Sequence, residues 1–254
     1  NLQGLKDSHT GITLISIYVH PMLKSDMHAS VRAQVEAARL LVAENPMFVL
    51  ARAPWEARRA LKAGKRVLIL ALEGAIGVVD SDDSIREFID EAGIRIVAPL
   101  HIADDELGGG AFLYGVNAFA NAGAFLSQIF NPARGAHGVR INRNGVSPKG
   151  MEVVGKLIDR RVWIDLSHAP DRALEQMFPL LRKAGQPLLV THGSLRRYLP
   201  AERAISDSNL RAVAESHGIL GLMPSEDMMV GTVVPAKYCP KGCTCRGGIF
   251  ALAT

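Results

Sequence analysis

Apolar runs of strand length alternate with segments of helical periodicity along most of the chain. Six runs indicate strands, and their last residues are Val19, Glu73, His101, His168, His192 and Met223. Between them, apolar residues recur at a spacing of three and four, as at Val31, Val35 and Ala38, which predicts helices. Strands that alternate with helices predict an α/β fold with a parallel sheet, and repetition of the unit predicts a (β/α)8 TIM-type barrel.

Capping residues, prolines and glycines bound the predicted helices. The helices are expected over residues 30–44, 55–63, 83–92, 147–160, 171–184 and 207–216. Six strands are two fewer than a closed barrel requires. We therefore expect strands 1 and 8 to be missing or incomplete, with residues 1–254 forming a single barrel domain that is truncated at both ends.

The composition narrows the class of protein. The chain is 48% hydrophobic and 21% charged, which is typical of a globular protein. The net charge is +4 and no Lys/Arg block reaches five residues, so nucleic-acid binding is not expected. No apolar run reaches 18 residues, so no transmembrane segment is expected. The chain does not begin with Met, and its compartment stays open.

Residues that can bind a metal end four of the predicted strands. Glu73, His101, His168 and His192 each follow an apolar run. Since ligands of parallel β/α barrels lie at the carboxyl ends of the strands, we expect these side chains to face one cleft. Any one of the three histidines could be a capping or core residue, but packing alone hardly explains all three together with Glu73. A charged Glu73 after six apolar residues also needs a cation or a hydrogen-bond partner.

The three-residue set of Glu73, His168 and His192 suits zinc. Zinc prefers imidazole and carboxylate ligands, and a catalytic site leaves one position open for water. His101 could hydrogen-bond a developing oxyanion, and Arg203 could hold a substrate carboxylate with two hydrogen bonds. A structural interpretation stays open for each of them. His101 could be an ordinary structural histidine, and Arg203 could be a solvated arginine beside Glu202.

The ordered set of motifs resembles the membrane (renal) dipeptidase family, within the amidohydrolase-like barrels. The resemblance covers roughly residues 11–223. It rests on the segments Ala71-Leu72-Glu73-Gly74, Leu100-His101 with Asp104-Asp105-Glu106-Leu107-Gly108, Gly145-Val146-Ser147-Pro148-Lys149-Gly150, Ile164-Asp165-Leu166-Ser167-His168, Val190-Thr191-His192-Gly193-Ser194, and Arg203-Ala204-Ile205-Ser206-Asp207.

The resemblance implies a binuclear zinc site and catalytic roles for Glu73 and His101. In such a site Glu73 bridges two metals, His168 and His192 complete one of them, and His101 and Arg203 touch the substrate. The family's second metal uses a His-x-Asp motif on strand one and an aspartate at the end of strand eight, and neither is found in this sequence. One metal site is therefore supported, and poor turnover is expected of this chain alone.

The expected function is hydrolysis of dipeptides by a metal-activated water. Two alternatives stay open: another amidohydrolase-type reaction on the same barrel, acting on a lactone, amide or phosphoester, and an inactive metal-binding homologue or fragment. A homodimer is one possible assembly. Cys239, Cys243 and Cys245 fall in a Gly/Pro-rich segment whose spacing matches no common zinc ribbon, so a surface loop with one disulfide or free thiols is expected.

Overall fold

The computed structural model describes residues 2–8, 10–19, 26–113 and 121–223. Two compact units divide the chain: the first comprises residues 1–98 and 155–163, and the second comprises residues 99–154 and 164–254. The single domain expected over residues 1–254 stays a prediction. The three cysteines lie outside the described residues.

Seven strands and eight α-helices occur in the part of the chain that the structure describes. The strands are β1 (Ile12–Tyr18), β2 (Phe48–Leu50), β3 (Arg66–Glu73), β4 (Ile96–Ala98), β5 (Trp163–Ile164), β6 (Leu189–Gly193) and β7 (Ile219–Leu222). The helices are α1 (Leu2–Asp7), α2 (Met27–Glu44), α3 (Pro54–Lys62), α4 (Asp82–Ile85), α5 (Ala122–Leu126), α6 (Pro148–Asp159), α7 (Asp171–Lys183) and α8 (Asp207–Glu215). A π-helical turn at Arg86–Glu91 continues α4, and a 3-10 turn covers Ala136–Gly138.

The α/β class predicted from the alternating pattern is confirmed, with differences in the strands. β2 was not predicted, because a strand of three residues is too short to show a period. β4 and β5 end earlier than predicted, at Ala98 and Ile164. The expectation that His101 and His168 end strands is therefore wrong: both lie in the loops that follow. No helix among the described residues is long and apolar enough to cross a membrane.

β3 is the central strand of the first unit. β1 pairs with it in parallel from Val67 to Glu73, while β2 pairs at its first three residues and β4 at its last three. Both faces of β3 are covered, since Val67 and Leu68 are fully buried. Burial on both faces explains why this strand is an uninterrupted apolar run rather than an alternating one. Its carboxyl end carries Glu73.

Parallel strands also organise the second unit. β6 pairs with β7 from Leu189 to Gly193, and Leu166 donates its N–H to the carbonyl of Leu189 at 2.8 Å. A parallel bridge joins Asp165 to Leu189 as well. The segment after β5 therefore runs beside β6, and the carboxyl ends of both strands meet at one edge.

A buried charged cluster ties the loops of the second unit together. Arg196 is 1% exposed and makes two hydrogen bonds of 2.7 Å to the carboxylate of Asp171. Glu202, 3% exposed, accepts the backbone N–H groups of Phe112, Asn142 and Asp171 at 2.8, 2.9 and 3.1 Å. From the sequence, Arg196 and Arg197 would be expected to form a solvated pair. For Arg196 this is wrong, because the carboxylate of Asp171 compensates its charge inside the protein.

Burial raises the pKa of Glu202 from 4.5 to about 7, against the opposing effect of the three N–H donors. A carboxyl group whose pKa is higher in the folded chain stabilises the fold most below the unfolded pKa. Its contribution is lost as the pH rises from about 4.5 to about 7. At 1.36 kcal/mol for each pKa unit, the loss is about 3 kcal/mol.

Glu202→Gln is expected to destabilise the chain by about 1–3 kcal/mol, because the new NH₂ group must face a backbone N–H that lost its acceptor. The fall in stability between about pH 5 and about pH 8 should also shrink in this variant. Urea unfolding at both values of pH measures both effects. Glu175→Gln is the matched control, since Glu175 is exposed and contacts Arg172 on the surface of α7. If the free energy of unfolding depended equally on pH in the wild type and in Glu202→Gln, the pH dependence could not be assigned to Glu202.

Candidate metal centre

The three predicted site histidines lie together in the second unit. His192 belongs to β6, while His101 and His168 lie three and four residues beyond the ends of β4 and β5. The rings of His101 and His168 have centroids 4.3 Å apart, and those of His168 and His192 have centroids 5.0 Å apart. His168 is 7% exposed, and the other two are half-buried.

The ring nitrogens of His168 and His192 converge on one point. Their Nε2 atoms are 3.0 Å apart. Zinc bound tetrahedrally at about 2.0–2.1 Å places two imidazole nitrogens about 3.3 Å from each other. The pair therefore fits two ligands of a single ion, and imidazole is a donor that zinc favours.

Arg203 lies against the same histidines. Its side chain is 6% exposed, and Nη2 is 3.4 Å from Nε2 of His168 and donates to the carbonyl of His192 at 3.2 Å. Its backbone N–H donates to Phe112 at 3.0 Å. The alternative of a solvated arginine paired with Glu202 is wrong, because both side chains are buried. A guanidinium is a permanent donor, so Arg203 brings positive charge and N–H groups to the histidines.

The loop that carries His101 is held by close backbone contacts. A Cβ on Gly110 would lie 2.4 Å from the carbonyl oxygen of His101, so only glycine fits there. Asp104 accepts hydrogen bonds from the N–H of Gly110 at 3.0 Å and from the side-chain amides of Asn142 and Asn144 at 2.6 Å each. These contacts give Asp104 a structural role and fix the loop after β4.

A buried carboxylate is connected to the His168–His192 pair by hydrogen bonds. Asp165 is 6% exposed, and its Oδ1 accepts the N–H and the hydroxyl of Ser167 at 3.0 and 2.6 Å, together with the N–H of Thr191 at 3.0 Å. Its Oδ2 accepts the hydroxyl of Thr191 at 2.5 Å. The hydroxyl oxygen of Thr191 is in turn 2.8 Å from Nδ1 of His192. A chain of three side chains thus leads from Asp165 to the ring of His192.

Sequence reasoning assigned no role to Asp165, Ser167 or Thr191, although the first two are in the motif that ends at His168. One signal could have identified them. Asp165 and Ser167 alternate with the buried apolar residues Ile164 and Leu166, which places two polar side chains on one side of the segment.

Glu73 is the last residue of β3, in the first unit, as predicted for a strand end. Its carboxylate is half-buried and accepts the hydroxyl of Ser16 at 3.0 Å. Burial, and then the charge of Glu73, raises the pKa of Tyr18, its partner in the β1–β3 register. The hydrogen-bond partner expected for Glu73 is therefore present. Its role as a metal ligand stays a prediction.

The remaining histidines of the described residues are His28, His137 and His217. His28 lies on α2 with its ring against Phe88, at a centroid distance of 5.1 Å. His137 and His217 are exposed and have positive φ angles of 60° and 56°. The sequence pattern gives His20, His28, His137 and His217 no ligand partner and places them at surface or loop positions. This holds for His137 and His217, while His20 lies outside the described residues.

Solved structures share the fold of this chain. One is dipeptidase AC, a metallopeptidase of family M19, with a TM-score of 0.64 at 19% identity over 87% of this chain and 62% of that one. Another is a metallopeptidase from Rhodobacter sphaeroides with a bound phosphinate mimic of the dipeptide L-Ala-D-Ala, with a TM-score of 0.61 at 19% identity over 87% and 64%. The probable dipeptidase PvdM from Pseudomonas aeruginosa has a TM-score of 0.63 at 21% identity over 84% and 50%.

Curated relatives match shorter stretches. An uncharacterized protein from the PQQ-III 3' region of Acinetobacter calcoaceticus is 26% identical over 158 residues, which are 62% of this chain and 42% of that protein. An uncharacterized protein from the pqqA 5' region of Klebsiella pneumoniae is 27% identical over 78 residues, or 31% and 28%. The aligned regions thus span less than half of these relatives.

The family model of the membrane dipeptidases, peptidase family M19, matches residues 1–234, which is most of the chain. This match agrees with the resemblance seen in the ordered motifs and with the fold of the solved structures. The chain belongs to the membrane dipeptidase family, peptidase family M19.

Proposed function

We propose that this chain carries the metal-binding and substrate-binding residues of a zinc-dependent dipeptidase. One observation supports the proposal above all: the two Nε2 atoms of His168 and His192 converge at 3.0 Å in a chain of family M19. Two imidazoles whose nitrogens converge on one point, one buried and one half-buried, are the donor arrangement of a zinc site. The family supplies the reaction, which is cleavage of the peptide bond of a dipeptide.

His168 and His192 are the proposed imidazole ligands. Glu73 is the proposed carboxylate ligand, supported by its place at the end of β3 and by the family resemblance. Two imidazoles and one carboxylate are a common catalytic zinc set, with a further position left for water. Zinc, when bound, supplies Lewis-acid activation of water and of the scissile carbonyl.

Two neighbouring side chains are proposed to stabilise the transition state and to bind the substrate. His101, whose ring lies beside that of His168, is proposed to donate a hydrogen bond to the oxygen on which negative charge develops. Arg203 is proposed to bind the free carboxylate of the substrate, since its buried guanidinium lies next to the proposed ligands. Little water reaches Arg203, so a charged hydrogen bond there is stronger than at the surface.

Hydrolysis of unblocked dipeptides by the zinc-loaded chain tests the proposal. Zinc-dependent release of free amino acids above the metal-free control is expected, and Glu73→Gln should abolish it. A panel with lactones, amides and phosphoesters separates the alternatives that share this scaffold. Turnover of one of those compounds with no turnover of any dipeptide would move the assignment to that reaction.

His192→Asn is expected to weaken binding of Zn²⁺ by more than about 100-fold, which exceeds the 10–100-fold typical of changes outside the ligand shell. Competition with a zinc chelator measures the affinity. His217→Asn is the matched control, because the same change is made at an exposed histidine whose positive φ asparagine tolerates. Equal zinc affinity in His192→Asn and the wild type would remove His192 from the site.

Arg203→Met is expected to abolish the preference of the zinc-loaded chain for a free carboxylate. The wild type should bind a dipeptide more tightly than its C-terminally amidated form by about 30-fold or more, as expected for a buried charged pair. Calorimetric titration of both compounds gives the ratio for each protein. Arg197→Met is the control, since that arginine is half-exposed and pairs with Asp207. A ratio that is unchanged in Arg203→Met would contradict the carboxylate role.

A further inference from the structure

Asp165, Thr191 and His192 form a hydrogen-bonded chain whose protons can be assigned. Asp165 is surrounded by four donor groups, from Ser167 and Thr191, and its carboxylate is an acceptor only. The shortest of the four bonds, at 2.5 Å, comes from the hydroxyl of Thr191. A threonine hydroxyl has one hydrogen, and this bond uses it.

The Thr191 oxygen has two further contacts. The hydroxyl of Ser167, 3.2 Å away, already donates its hydrogen to Asp165, so only the contact with His192 has a hydrogen left to be placed. The Thr191 oxygen is 2.8 Å from Nδ1 of His192 and has lone pairs but no further hydrogen. Nδ1 of His192 must therefore be the donor. A neutral imidazole with its hydrogen on Nδ1 carries no hydrogen on Nε2. Nε2 is the atom that lies 3.0 Å from Nε2 of His168.

We infer that Asp165, acting through Thr191, is a positioning residue that sets the tautomer of His192 and so keeps its Nε2 without a hydrogen, as a metal ligand requires. The inference rests on the proposed zinc site for its purpose, but the tautomer itself is a property of the metal-free chain. Ser167 supports the arrangement, since its hydroxyl donates to Asp165 and accepts the N–H of His192 at 3.1 Å. Outer residues of this kind orient a ligand and fix its proton.

Asp165→Asn turns the chain of hydrogen bonds around. Oδ1 accepts three donors, so the amide oxygen takes that place and the NH₂ group takes the place of Oδ2. The amide then donates to Thr191, whose hydroxyl hydrogen turns to Nδ1 of His192. The ring must carry its hydrogen on Nε2, where it blocks the ligand position. The substitution preserves size and shape while reversing the direction of two hydrogen bonds, the one between residues 165 and 191 and the one between Thr191 and His192.

Nitrogen-15 NMR of the metal-free chain reads the tautomer directly. In the wild type, the His192 signals are expected to show a protonated Nδ1 and a bare Nε2, and in Asp165→Asn the reverse. His192→Asn identifies the signals by their loss. A wild-type ring protonated on Nε2, or a folded Asp165→Asn chain with an unchanged tautomer, would overturn the inference.

Zinc affinity provides the second readout, measured by chelator competition on the full chain. Asp165→Asn and Thr191→Val are expected to weaken Zn²⁺ binding about 10–100-fold, and Thr191→Ser, which keeps the hydroxyl, should retain wild-type affinity. If Asp165→Asn does not fold, the comparison of Thr191→Val with Thr191→Ser tests the inference. Circular dichroism checks that each variant is folded. Equal losses in Thr191→Val and Thr191→Ser would overturn the inference.

Different results would refute the zinc site and the role of Asp165 and Thr191. A wild-type chain that binds no zinc would refute the zinc site, while the NMR spectrum would still decide the tautomer. A chain that binds zinc through His192 with the opposite tautomer in its metal-free form would refute only the role of Asp165 and Thr191.

Discussion

The carboxylate of Asp165 is the constraint on which the arrangement of the second unit's histidines depends. It accepts four hydrogen bonds where the carboxyl ends of β5 and β6 meet, and so joins the backbone before His168 to the backbone before His192. Because a buried carboxylate without donors is costly, this bonding pattern tolerates little displacement of either strand. The convergence of the two Nε2 atoms follows from that rigidity.

A second buried network fixes the surroundings of the cluster. Glu202 binds three backbone N–H groups from separate loops, and Arg196 binds Asp171 at the start of α7. α7 begins three residues after His168, and Arg203 directly follows Glu202. Charges buried for structural reasons thus hold the loop after His168 and the arginine that faces it. A rigid frame of this kind is what an ordered metal site requires.

Much of the site could be predicted from the sequence because ligand residues interrupt apolar runs. His192 and Glu73 follow buried segments, and histidine and glutamate at such places are rarely explained by packing. The pattern misjudged Arg196 and Glu202, because composition alone cannot show that a charge has a buried partner. It also missed β2, where three residues show no period.

The sequence by itself determined the α/β class, the family and the identity of the candidate ligands, because periodicity and ordered motifs are local properties of the chain. Only the tertiary structure decided which nitrogen atoms converge, that Arg203 is buried against the histidines, and that Asp165 reaches His192 through Thr191. The physical reason is that the His168–His192, Asp165–Thr191 and Arg203–His168 contacts join residues 24 to 35 positions apart, and their geometry depends on strand register and loop packing.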